Sequence, residues 1–149
     1  MWTDAILAYL HFAAIFAMIW FLAKEWTLLR AGAANVDVAR IALADAGFGI
    51  TAGLVLVTGA LRAAFGAKGW SFYAHDAAFH AKVTLFVIVA LISIAPTLQF
   101  LRWRKARRAD AAFRVPEPEW KRVRRLLMIE LHLIALIPLA AVIMARGLA

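Results

Sequence analysis

Four apolar stretches alternate along the chain with short polar ones, at about residues 2–30, 38–65, 77–103 and 120–144. Each exceeds the ~20 helical residues that cross a bilayer, which predicts an all-α, integral membrane four-helix bundle forming one domain over residues 1–149. The first stretch opens Met-Trp-Thr-Asp, without the basic start of a signal peptide, and its apolar run is too long for one, so it is expected to stay in the mature chain. Within it Asp4, His11, Met18 and Glu25 recur every seventh residue and so lie near one helix face, which must point at protein. The turn at 31–35 makes the first two helices an antiparallel pair. Along one side of the second run Asp45, Gly49, Ala52 and Gly59. Its Gly49-Ile-Thr-Ala-Gly53 spacing suits either plain helix packing or the close approach of a flat ligand. The third helix follows an aromatic connector, Gly69-Trp70-Ser71-Phe72-Tyr73, and Asp76 is placed to cap it, with His80 and Lys82 just inside. Pro96 and Pro138 are expected to kink the third and fourth helices.

Composition fixes the class. A 65% hydrophobic content over 149 residues, with a mean hydropathy of +0.80, is more than a soluble core of this size can hide. The chain has no cysteine, which excludes disulfides, thiolate zinc sites and iron–sulfur clusters, so any metal falls to His, carboxylate or Met. A net charge of +8 raises nucleic acid as a partner. The cations instead crowd into residues 102–125 between apolar runs, the pattern of a cytoplasmic membrane loop, so the expected partner is the lipid bilayer and not nucleic acid. Four crossings then put the N and C termini and the 66–76 connector outside, with the 30–38 turn inside.

This topology sorts the polar residues by depth. His11, Arg62, His75, His80 and Lys82 fall near the outer side, Glu25, Asp45, Gln99 and Glu130 deeper or inward, and His132 near the middle. Each unpaired intramembrane charge costs about 2.5–3.5 kcal/mol on the gentlest scale, so several in one small bundle imply an enclosed polar interior. Taken singly, each has a plainer role. Lys82 and Arg62 can snorkel, His75 can sit in an exposed loop, and Glu25 and Asp45 can pair with Lys24 or Arg40. Taken together, buried imidazoles, small-residue grooves and outer cations suit a b-type haem. Arg62 and Lys82 would meet its propionates, and Trp70 and Tyr73 would line its edge. Lys82, Arg62, Glu130 and Asp45 are the candidate catalytic residues, the carboxylates Glu25, Asp45 and Glu130 as proton relays.

The segment from Leu10-His11 to Trp20-Phe21 resembles the first helix of the HemJ-type protoporphyrinogen oxidases and of the CopD membrane domain. Phe79-His80-Ala81-Lys82-Val83 is similar to the His-x-Lys-Leu motif of the HemJ type. Nearly the full length resembles a family of short bacterial four-helix membrane proteins, through Thr58-Gly59-Ala60-Leu61-Arg62, Gly69-Trp70-Ser71-Phe72-Tyr73, Pro96-Thr97-Leu98, Leu101-Arg102-Trp103-Arg104 and Ile137-Pro138-Leu139. The HemJ resemblance implies a haem b protein that oxidises protoporphyrinogen IX, with His11, His80 and Lys82 at the matching positions, so that His11 and His80 are its expected axial ligands and His132 the alternative. It also implies a multi-pass protein of a bacterial inner (cytoplasmic) membrane. An electron-transfer cytochrome exchanging electrons with quinone, a copper-handling module, and a haem-free structural or transport bundle are the competing classes. The sequence leaves the oligomeric state open, a homo-oligomer included.

The charge asymmetry predicts that residues 102–125 face the cytoplasm. On this cysteine-free chain, Ala112→Cys should resist an impermeant thiol reagent in intact cells and react once the membrane is opened. Labelling in intact cells would reverse the orientation.

Overall fold

In the computed structural model, which describes residues 2–66, 70 and 74–146, four long helices run antiparallel to their neighbours. They are α1 (Trp2–Leu29), α2 (Val38–Phe65), α3 (Ala77–Ala109) and α4 (Glu117–Arg146). Each contains a stretch long and apolar enough to cross a membrane. The broadest contacts join α1 to α2 and α3 to α4, α2 packs on α3, and α1 touches α4 to close the ring. Large apolar side chains such as Phe16, Leu43, Ile50, Leu91 and Leu139 lie exposed on the outside. In water that surface would be untenable; against lipid it is the expected one.

Local chemistry sets the helix ends. Gly32, at φ +86°, turns the chain out of α1 into a short 3₁₀ turn, Ala33–Asn35. Asp37 then caps α2, its Oδ1 accepting from the Arg40 N–H at 3.0 Å. Asp76 caps α3 in the same way, accepting from the Phe79 N–H at 2.7 Å, as its position predicts. The basic stretch differs from the expected loop. The helix continues past Trp103 to Ala109, because Arg, Lys and Ala are strong helix formers and the cationic side chains project into water beyond the bilayer. Likewise α4 begins at Glu117, with Pro118 in the first turn, where its missing N–H costs no helical bond. Both Pro96 and Pro138 lie inside helices that run on past them.

The core is gathered in the half of the bundle next to the basic loop. Leu22 and Leu29 of α1, Ile41 of α2, Phe100 and Trp103 of α3, and Val123 and Leu127 of α4 are fully enclosed there. Polar ties reinforce it. The Trp103 indole and the Gln99 amide both donate to Glu119 Oε2, at 2.7 and 2.6 Å, and the Trp120 indole donates to the Leu29 carbonyl at 3.0 Å. Toward the other end burial thins. Trp2, Ile6, Tyr9 and Phe65 are exposed, and Ala63, Ala78 and Ala140 are the small buried residues.

Trp103 combines a fully buried ring with one of the two donors to Glu119. Trp103→Ala is expected to cost about 3–5 kcal/mol, the range for emptying a large aromatic site. The check is unfolding of the purified protein in detergent followed by circular dichroism, with Trp103→Phe, which keeps an aromatic ring but loses the N–H and part of the ring volume, closer to the parent.

Candidate functional site

The seven-residue series on α1 turns inward as expected, and more completely with depth. Asp4 and His11 are half-buried, whereas Met18 and Glu25 are buried. The series therefore delivers two polar sites, one at each end of the bundle.

At the end away from the basic loop, His11 faces α2. Its Nδ1 lies 2.9 Å from the Thr58 hydroxyl oxygen. That hydroxyl lies 2.6 Å from the Leu54 carbonyl, to which it donates its only hydrogen. Its oxygen can then only accept from the ring, which in a neutral imidazole places the hydrogen on Nδ1 and leaves the Nε2 lone pair free. Gly59 makes room for this contact, since a Cβ there would come within 3.1 Å of the imidazole Cε1. Arg62 and Lys82 are the cationic neighbours of His11, brought to it by α2 and α3. The Arg62 guanidinium lies 5.9 Å from the Phe12 ring centre and its buried Nε has no hydrogen-bond partner among the described residues. Lys82 Nζ stands 5.2 Å over the Phe79 ring.

The remaining expected ligands sit elsewhere. His80 is exposed, with Nε2 3.0 Å from the Ala74 carbonyl, and His132 is exposed on α4 with Nδ1 2.6 Å from the Met128 carbonyl. Trp70 is exposed, and Tyr73 falls outside the described residues. His75 is exposed, as a connector residue should be. Among the described residues no three or more His, Asp or Glu side chains are arranged to hold a metal ion.

Separate from this cluster, a groove of about 260 Å³ lies between α2 and α3, lined by Gly49, Ala52, Gly53, Phe86, Ala90 and Ser93 among others. A Cβ added at Gly49 or Gly53 would meet nothing within 4 Å. Those two glycines therefore open onto the groove instead of seating a neighbouring helix. Close helix packing belongs to Gly47, where an added Cβ would collide with the Phe21 ring of α1. One turn beyond the groove on α2 comes Gly59, and one turn beyond it on α3 comes Lys82. One imidazole and two cations thus lie together, and a groove of small residues begins one turn further in.

At the opposite end Glu25, Asp45 and Glu130 are 1%, 6% and 1% exposed and lie within electrostatic reach of one another. Thr97 of α3 donates to Asp45 Oδ1 at 2.7 Å, so all four helices contribute. Pairing with inner-face cations does not occur. Lys24 stacks on the Trp20 ring at 4.9 Å and Arg40 pairs with Asp37 at 3.3 Å. Thr58 and Thr97 carry no role in the sequence reading, although each adjoins a residue that does, Gly59 and Pro96.

Residues 3–149 match the model of the family described as "Predicted membrane protein (DUF2214)". No curated protein and no solved structure matches the chain.

The Thr58 contact predicts the Nδ1–H tautomer of His11, which the ring ¹⁵N shifts of labelled protein report directly. Thr58→Val removes the acceptor and should shift the ring toward the other tautomer while the helical content is retained. Identical ring shifts in both proteins would refute the assignment.

Proposed function

The chain belongs to that membrane-protein family, and we propose that it is a membrane-embedded b-type haem protein with a redox role in a bacterial inner membrane. The observation that carries the reading is His11, whose Nδ1 faces Thr58 while Nε2 is left free beside Gly59. The Val55 carbonyl is a second acceptor beside the ring, 3.3 Å from the same Thr58 hydroxyl. A histidine ligand is held in this way in many metal sites, one ring nitrogen fixed by a hydrogen bond so that the other is presented to the metal. When bound, a b haem supplies one-electron transfer.

The protein's own residues have separable tasks. His11 would hold the iron and Thr58 orients its ring. Gly59 leaves room for the His11 ring, and Gly49 and Gly53 keep the groove open. Arg62 and Lys82 would neutralise propionates, or an anionic substrate, at the outer mouth. The HemJ-type resemblance of Phe79-His80-Ala81-Lys82 makes protoporphyrinogen IX the reducing substrate of first choice, and Lys82, at the mouth, is the residue placed to meet its carboxylates. A quinone-linked cytochrome is the competing redox role, and the groove that opens between α2 and α3 suits an apolar quinone as well.

Protein purified in detergent from its own membranes should be red, with a Soret band that shifts on reduction. His11→Ala is expected to abolish that band. His80→Ala, which alters an exposed side chain, should shift it at most, and His75→Ala should leave it unchanged. Conversion of protoporphyrinogen to fluorescent protoporphyrin by the same preparation would establish the oxidase, whereas haem reoxidation by quinone without that conversion would establish the cytochrome. A colourless protein would remove the haem reading.

A further inference from the structure

The buried carboxyl cluster is built independently of the His11 site and stands whether or not haem binds. Glu25 from α1, Asp45 from α2 and Glu130 from α4 meet inside the most tightly packed half of the bundle. Thr97 from α3 supplies one hydrogen bond, to Asp45 Oδ1. Among the described residues, Glu25 Oε1 and Glu130 Oε1 are buried with no hydrogen-bond partner. Several charged groups of the same half have partners outside the cluster. Lys24 lies on Trp20, Arg40 on Asp37, Arg124 on the Trp26 and Trp120 rings, and Glu119 accepts from Gln99 and Trp103.

Three carboxyl groups sharing a low-dielectric interior with no cation cannot all stay ionised, because each charge loses its hydration and repels the other two. Something positive must join them. A metal ion is disfavoured by the geometry, since no three such side chains among the described residues are arranged around a common point. Protons meet the need without a coordination shell, and each turns an orphaned acceptor oxygen into a donor that a neighbouring carboxyl can accept. We propose that Glu25, Asp45 and Glu130, with Thr97, form a proton-binding site inside the membrane, holding exchangeable protons next to the face that carries the basic loop. Glu25, one turn from the end of α1, is the member closest to that face and the natural point of exchange. Carboxylates enclosed in membrane bundles serve such a role when the protein moves protons.

The test uses N,N′-dicyclohexylcarbodiimide, an apolar reagent that adds the O–H of a carboxylic acid, but not a carboxylate, across one of its C=N bonds. Lipid vesicles holding the full chain are treated at neutral pH and the adduct is mapped by mass spectrometry. Label is expected on Glu25 or Glu130, lost in the matching Glu25→Gln or Glu130→Gln variant, with exposed Glu117 unlabelled. The yield should be the same in sodium, potassium and choline chloride. Protection by sodium or potassium alone would overturn the proposal in favour of an alkali-cation site. Infrared spectra address the same point without any reagent. The wild type should show a carboxylic acid C=O band that moves in D2O and weakens in Glu25→Gln, Asp45→Asn and Glu130→Gln. The same spectrum in all three variants as in the wild type would overturn the proposal whatever the reagent reaches.

Discussion

A polar group within the hydrocarbon layer has no water to turn to, so its partners must come from the protein, and that constraint governs this bundle. The lipid-facing surfaces of all four helices are almost wholly apolar, which leaves each intramembrane carboxyl only the interior to point into. Rotation of the helices about their axes follows from this. α1 turns Met18 and Glu25 inward, α2 turns Asp45, and α4 turns Glu130. Between lipid and lipid, apolar packing gives little preference for one rotation over another. The buried carboxyls and Thr97 provide that preference.

The two ends of the bundle divide the labour. Next to the basic loop, Trp103, Phe100, Leu29 and Ile41 are fully buried, and the indoles of Trp103 and Trp120 tie α3 to α4 and α4 to α1 through Glu119 and the Leu29 carbonyl. This end fixes the helices relative to one another. Away from it Trp2, Ile6, Tyr9 and Phe65 are exposed and the groove opens between α2 and α3, with His11, Arg62 and Lys82 clustered beyond the residues that line it. On the proposed haem reading, the packed base would hold the helices in place around the ligand that the His11 end receives.

Much of this was readable in the chain. Apolar run length gave the four helices, the seven-residue series gave the inward face of α1, and Asp76 gave the start of α3, because these depend on neighbours within a helix. The ends of the basic segment were harder. Hydropathy stops at the bilayer surface but helix propensity does not, so α3 runs on to Ala109. Hardest were relations between helices. The Gly49 and Gly53 spacing resembles a packing motif, yet Gly47 is the glycine that meets a neighbour, because the rotation of α2 is set by Asp45 and its partners and not by the glycines. For the same reason four histidines of similar appearance separate into one that faces a partner helix, His11, and three that are exposed. Thr58 and Thr97 were invisible as site residues, since a threonine in a helix declares its role only through the atom across from it.

Whether His11 holds a haem is decided by a density map of the protein purified from its own membranes. The haem reading requires a flat macrocycle bound at His11 Nε2 with its carboxylate edge at Arg62 and Lys82. A map in which Nε2 is hydrogen-bonded to another side chain and the groove between α2 and α3 holds only lipid chains would contradict it.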